Sequence, residues 1–128
     1  MATAVVAVFA MYFPVAIHLK HSYVPVPARS NTRIGLVGPF ERFGSSGAAY
    51  VASVPFDDLA DSSDATERSP IVLYENGIPL GPAHSWHADI AKIGHGRFSH
   101  WRGIGIVFSA SDNSNPNVNW KHYSISRP

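Results

Sequence analysis

The sequence predicts a mainly β fold, an antiparallel sandwich or partly open barrel with one short helix, preceded by a single N-terminal transmembrane helix. Three observations carry this reading. Ten Gly and ten Pro in a chain only 15% charged favour turns over long surface helices. From residue 33 onward, apolar runs are short and separated by turn chemistry. Ahead of them, residues 2–19, "ATAVVAVFAMYFPVAIHL", hold no formally charged side chain, and Lys20 closes the run.

At 128 residues the chain has room for one domain of ordinary size plus an appendage. A formal net charge of +1, with seven His counted neutral, is neither the basic footprint of a nucleic-acid binder nor the acidity of a disordered tail. The absence of Cys excludes disulfides, thiolate metal sites and a Cys nucleophile.

The N-terminal run comes first. As a helix it rises about 27 Å, close to the roughly 30 Å of a bilayer's hydrocarbon core. Its apolar residues lie on every face, as lipid or full burial requires. Pro14 kinks such a helix without breaking it. Residues 1–20 are therefore expected to span the membrane. A cleaved signal peptide is the alternative, although no Lys or Arg precedes the run, and a buried helix of a soluble fold is a third. Lys20, Arg29 and Arg33 follow the span, which the positive-inside rule reads as a cytoplasmic module. Anchors of this kind often present their domain outward, so the expected side is periplasmic or outer. His18 stands near the end of the span, where an imidazole is either an axial ligand for haem or a pigment magnesium, or an interfacial polar residue.

Residues 21–32 read as a semi-rigid linker, since Pro25 and Pro27 hold the backbone extended. Residues 33–128 form the β module. "AAYVASVPF" (48–56) is strand-like. "DDLADSSDATERSP" (57–70) holds five of the nine acidic residues and reads as an exposed loop with room for a turn of helix; its unspaced carboxylates are expected to be solvated, with a Ca²⁺ site as the alternative. In "IVLYENGIPLGP", Asn76-Gly77 supplies the two φ > 0 residues of a type I′ hairpin turn. "SWHADIAKIG" is the one helix of the module: Ser85 as N-cap, Asp89 in the first turn, Trp86, Ile90 and Ile93 on one face, Gly94 as the stop. Strands follow in "RFSHW" and "IGIVFSAS", around Gly103, and in "HYSIS". About six short strands result, with no internal repeat.

The polar residues admit several chemistries. In "SDNSNPNVN" (111–119), Asn113, Asn115, Asn117 and Asn119 can each bond their own backbone and build a compact loop. His84 and His87, with His100 and a carboxylate such as Asp112, are the residue types zinc accepts, without any compact zinc signature. A metal-dependent enzyme is the corresponding functional alternative. Ser99 beside His100 is adjacency only, and neither a G-x-S-x-G elbow nor a P-loop is present. Recognition is the remaining class. Trp86 and Trp120, with the four Asn side chains, offer flat apolar faces beside neutral donors and acceptors, suited to a sugar ring or a protein partner. Trp101, in a strand, is expected in the core.

Residues 69–101, "SPIVLYENGIPLGPAHSWHADIAKIGHGRFSHW", followed by "FSASDNSNPNVNWKHY", resemble an uncharacterised β module of bacterial membrane and cell-envelope proteins. The resemblance covers roughly the last sixty residues and implies a compact recurring module, with no activity attached. The sequence thus points to a non-catalytic, single-span accessory subunit that docks on integral membrane subunits through its helix and its β module, and needs no cofactor. The alternative to this and to the metal enzyme is a membrane-anchored glycan-binding envelope module.

Overall fold

The computed structural model describes residues 33–128. The expected span over 1–20, the linker over 21–32 and His18 lie outside them. Among the described residues, no helix is long and apolar enough to cross a membrane.

Eight short strands make two antiparallel four-stranded sheets. The first has the order β1-β8-β4-β5, from β1 (Arg33–Gly35), β8 (Tyr123–Ser126), β4 (Leu73–Glu75) and β5 (Ile78–Pro79). The second has the order β2-β3-β7-β6, from β2 (Glu41–Arg42), β3 (Tyr50–Ala52), β7 (Gly105–Phe108) and β6 (Phe98–Trp101). Their facing sides share one core of Leu73, Tyr123 and Ile125 from the first sheet and Tyr50, Ala52, Phe98, Ile106 and Phe108 from the second. Each large apolar side chain buried there stabilises the fold by about 1.5–3 kcal/mol relative to exposure. Phe40 closes one end, edge-on to Phe108 at 5.3 Å and to Tyr123 at 6.2 Å.

Period-2 alternation explains which face each residue takes. In β8, Tyr123 and Ile125 are buried while Ser124 and Ser126 are half-buried. All four residues of β7 are buried because the outer face of its sheet is covered as well. There Val107 packs with Ala49 against Ile90 of the helix α1 (His87–Lys92).

The hairpin forms as the dipeptide predicts: φ is 50° at Asn76 and 81° at Gly77, and Glu75 pairs with Ile78 across the turn. The helix is shorter than the sequence implied. Trp86, extended at ψ 142°, is the N-cap, and Ser85 instead donates its hydroxyl to Pro82 O at 2.7 Å. With that shift Ile90 alone is fully buried, while Trp86 and Ile93 face outward. The sequence did not foresee β1 and β2, whose three and two residues lie in a Gly- and Pro-containing stretch. They form because β8 and β3 offer free edges to pair with. The acidic segment keeps a single 3-10 turn, Asp57–Leu59, but it is not only a solvated loop, because Asp61 is fully buried.

Candidate recognition cleft

The site grows from the outer edge of β6. Two separate segments cover that edge. On one, Ser85 N donates to Phe98 O at 3.1 Å and Phe98 N to Pro82 O at 3.3 Å. On the other, Asp61 N donates to His100 O at 2.7 Å and Arg102 N to Asp61 O at 2.9 Å. Together they satisfy backbone groups that an edge strand leaves open. The two segments are tied to each other by side chains: His84 Nδ1 lies 2.6 Å from Asp61 Oδ2, and Ser69 N donates to Asp61 Oδ1 at 2.7 Å. A carboxylate accepts, so the His84 proton sits on Nδ1. His84 adopts φ 56°, a conformation uncommon outside Gly and Asn, and its bond to Asp61 helps hold it there.

Alternation along β6 sends Phe98 into the main core and Ser99 and Trp101 to the helix side. There they floor a cleft of about 650 Å³ whose walls include Trp86, His87 and Ala88 of the helix start, Ile104, and Thr66 and Glu67 of the acidic loop. Trp86 is 69% exposed at its rim. The His87 ring stands edge-on to Trp101 at 5.7 Å and to Phe43 at 4.9 Å. Burial pushes its pKa down, so the imidazole is neutral at pH 7.

Two polar atoms of residues beside the cleft are sealed from solvent and lack partners among the described residues: Ser99 Oγ and His87 Nε2. Ser99 is only 1% exposed. An unsatisfied buried group costs about 1–3 kcal/mol, and native folds leave few of them. The accessible part of the cleft is therefore mainly aromatic and apolar, with Glu67, Thr66 and Ser85 as polar residues in its lining.

The other predicted residues fall elsewhere. His100 points away from the cleft, with Nδ1 2.8 Å from Ser69 Oγ and Nε2 buried without a partner among the described residues. Burial pushes its pKa down against the opposing pull of Asp61 and Asp57. Asp112 sits with Lys121 at 3.2 Å, apart from the histidines. Hydrogen bonds from the Ser114 hydroxyl and amide, with Lys121 beside it, hold its carboxyl well below the usual range. The four residues His84, His87, His100 and Asp112 therefore do not gather. Among the described residues no three His, Cys, Asp or Glu side chains converge on one point as a metal set.

The Asn loop is a scaffold. Asn113 accepts from His95 N at 2.7 Å and donates to Ile93 O at 3.1 Å, closing the C-terminus of α1. Asn115 accepts from Asn117 N at 2.9 Å. Asn117 clamps both backbone groups of Phe40, accepting at 2.6 Å and donating at 2.9 Å. Asn119 accepts from Lys121 N and donates to Ser114 Oγ and Tyr123 OH. Trp120 stands 94% exposed at the end of this loop, and Val118 nearby is exposed as well.

Of the recognition residues expected from sequence, Trp86 alone lines the cleft. Trp101, expected in the core, is half-buried and forms its floor. Ser99, Thr66, Glu67 and the buried Asp61 were not singled out for recognition. The period of "RFSHW" puts Ser99 and Trp101 on one face, but nothing marks Asp61 among its acidic neighbours. No family model, curated protein or solved structure matches this chain.

Proposed function

We propose that residues 33–128 form a non-catalytic recognition module, the docking part of a single-span accessory subunit of a larger membrane assembly, and that its working surface is the cleft between α1 and β6. The observation that carries this reading is the open cleft of about 650 Å³ between α1 and β6, with Trp101 in its lining and Trp86 69% exposed at its rim. A partner that enters the cleft takes the exposed indole of Trp86 out of water and packs against Trp101, as an aromatic anchor at an interface does. The Asp61–His84 pair has the form of an oriented base, yet its geometry is accounted for by joining two edge segments. The uncharged run over residues 2–19 supplies the anchor in this reading.

The Cys-free chain provides a direct test. In Ala88→Cys a single thiol sits on the cleft wall; in Val118→Cys it sits on the Asn loop. Each full-length variant is labelled with a bulky maleimide in mild detergent and sized by gel filtration. The expected result is that labelled Ala88→Cys elutes free while labelled Val118→Cys stays in a larger particle. The reading fails if the unlabelled chain already elutes alone, or if blocking the cleft releases nothing.

A further inference from the structure

We infer that the group the cleft receives from its partner is the guanidinium of an arginine side chain, an inference that rests on the recognition reading above and names the partner's anchoring residue. Charge points to it first. Among the described residues no Lys or Arg lines the cleft, and Arg68 and Arg102, next in sequence to Glu67 and Trp101, are not part of its lining. Glu67 is, and it is exposed. The loop that supplies it, residues 57–70, holds Asp57, Asp58, Asp61 and Asp64 besides Glu67, with Arg68 as its single Lys or Arg. Asp61 is fully buried behind His84, its Oδ2 2.6 Å from Nδ1. Among the described residues no Lys or Arg pairs with Asp61 or with Glu67. A cleft wall of this sign draws a cation and repels a carboxylate or phosphate.

The rest of the accessible lining selects among cations. Trp86 is 69% exposed at the rim and Trp101 half-buried on the floor. An indole face attracts any cation, but only a planar guanidinium also stacks on it. His84 adds an acceptor. Its Nδ1 is engaged by Asp61, so Nε2 of the neutral ring is the nitrogen left to accept a hydrogen bond from an occupant. The His84 side chain lines the cleft and keeps 26% exposure, so it and Glu67 are reached from solvent. A guanidinium presents a fixed fork of N–H donors, enough for the Glu67 carboxylate and His84 Nε2 together, whereas a lysine ammonium is a compact, strongly hydrated point charge. A wholly apolar side chain fits the indoles but takes the Glu67 carboxylate out of water and gives it no partner.

The test titrates N-acetylarginine amide into the full-length ¹⁵N-labelled chain in mild detergent at pH 8, above the ordinary titration range of an imidazole, and follows the indole N–H signals. N-acetylcitrulline amide, which keeps the shape of arginine without its charge, and the corresponding lysine and glutamate amides are run in parallel. The expected result is that the arginine probe shifts the Trp86 and Trp101 signals saturably while Trp120 stays still, and that the citrulline probe binds about tenfold more weakly. Glu67→Lys, a change at an exposed position, is expected to weaken the arginine probe about tenfold, with a melting curve confirming that the variant is folded. Three results overturn the inference: the arginine probe moves neither cleft indole, one of the other probes binds as tightly, or Glu67→Lys leaves the affinity unchanged. Maleimide on Ala88→Cys separates this inference from the reading beneath it. If arginine fails while the labelled chain still leaves its assembly, the guanidinium falls and the docking surface stands. If arginine binds and labelling releases nothing, the cation site stands and the docking surface falls.

Discussion

Removing the Ser99 hydroxyl takes away a group that the fold does not satisfy. Ser99→Ala is therefore expected to leave the protein as stable or to stabilise it by about 1 kcal/mol, a rise of about 4–8 °C in Tm for a domain of this size, which melting curves check. Asn117→Ala should do the reverse. It frees both backbone groups of Phe40, costs about 1–3 kcal/mol and leaves cleft affinity unchanged. Glu75 sets the pH response. Burial pushes its carboxyl up, but hydrogen bonds from the Ser111 hydroxyl and amide and from Tyr123, with the charge of Lys121, outweigh burial and hold it below its ordinary value. A carboxyl depressed in the fold contributes stability above its unfolded value, near 4.5, and loses it as pH falls through the folded value. Acid melts should show a step below about pH 4.5 that Glu75→Gln abolishes. Sequence revealed the residue types at this scale and little of their employment. Asn113, Asn117 and Asn119 advertise donors and acceptors in a linear string, yet their partners lie up to 77 positions away.

Local rules succeed where the deciding contacts are local. The Asn76-Gly77 hairpin follows from two residues that accept positive φ, and Gly94 ends α1 as expected, at φ 69°. Its neighbour there is the Asn113 side chain, which a Cβ would overlap. Gly94→Ala should therefore cost about 1–3 kcal/mol through strain and a displaced cap, seen as a lowered Tm. The start of α1 falls one residue later than the capping rule places it, because Ser85, the better capping residue, is held by Pro82 and by its backbone bond to Phe98. Tertiary pairing with β6 overrode the local capping preference, and that override moved Trp86 off the buried helix face and onto the rim of the cleft.

At the scale of the molecule, a mainly β, antiparallel module with one short helix was legible from turn spacing and alternation, with sandwich and partly open barrel both left open, and the site was not. The cleft joins residues 66–67, 84–88, 99, 101 and 104, supported by Asp61 from a loop whose composition reads as solvent-exposed. Only the edge of β6, covered by two unrelated segments, brings them together. The three tryptophans divide accordingly, with Trp86 and Trp101 in the cleft and Trp120 on the scaffold loop. Their indole N–H signals in ¹H–¹⁵N NMR are therefore the most direct measurement, compared in the ¹⁵N-labelled chain before and after it joins its partner assembly. The account predicts that the Trp86 and Trp101 signals shift together and the Trp120 signal stays still. Movement of Trp120 alone would contradict it and move the binding surface to the Asn loop.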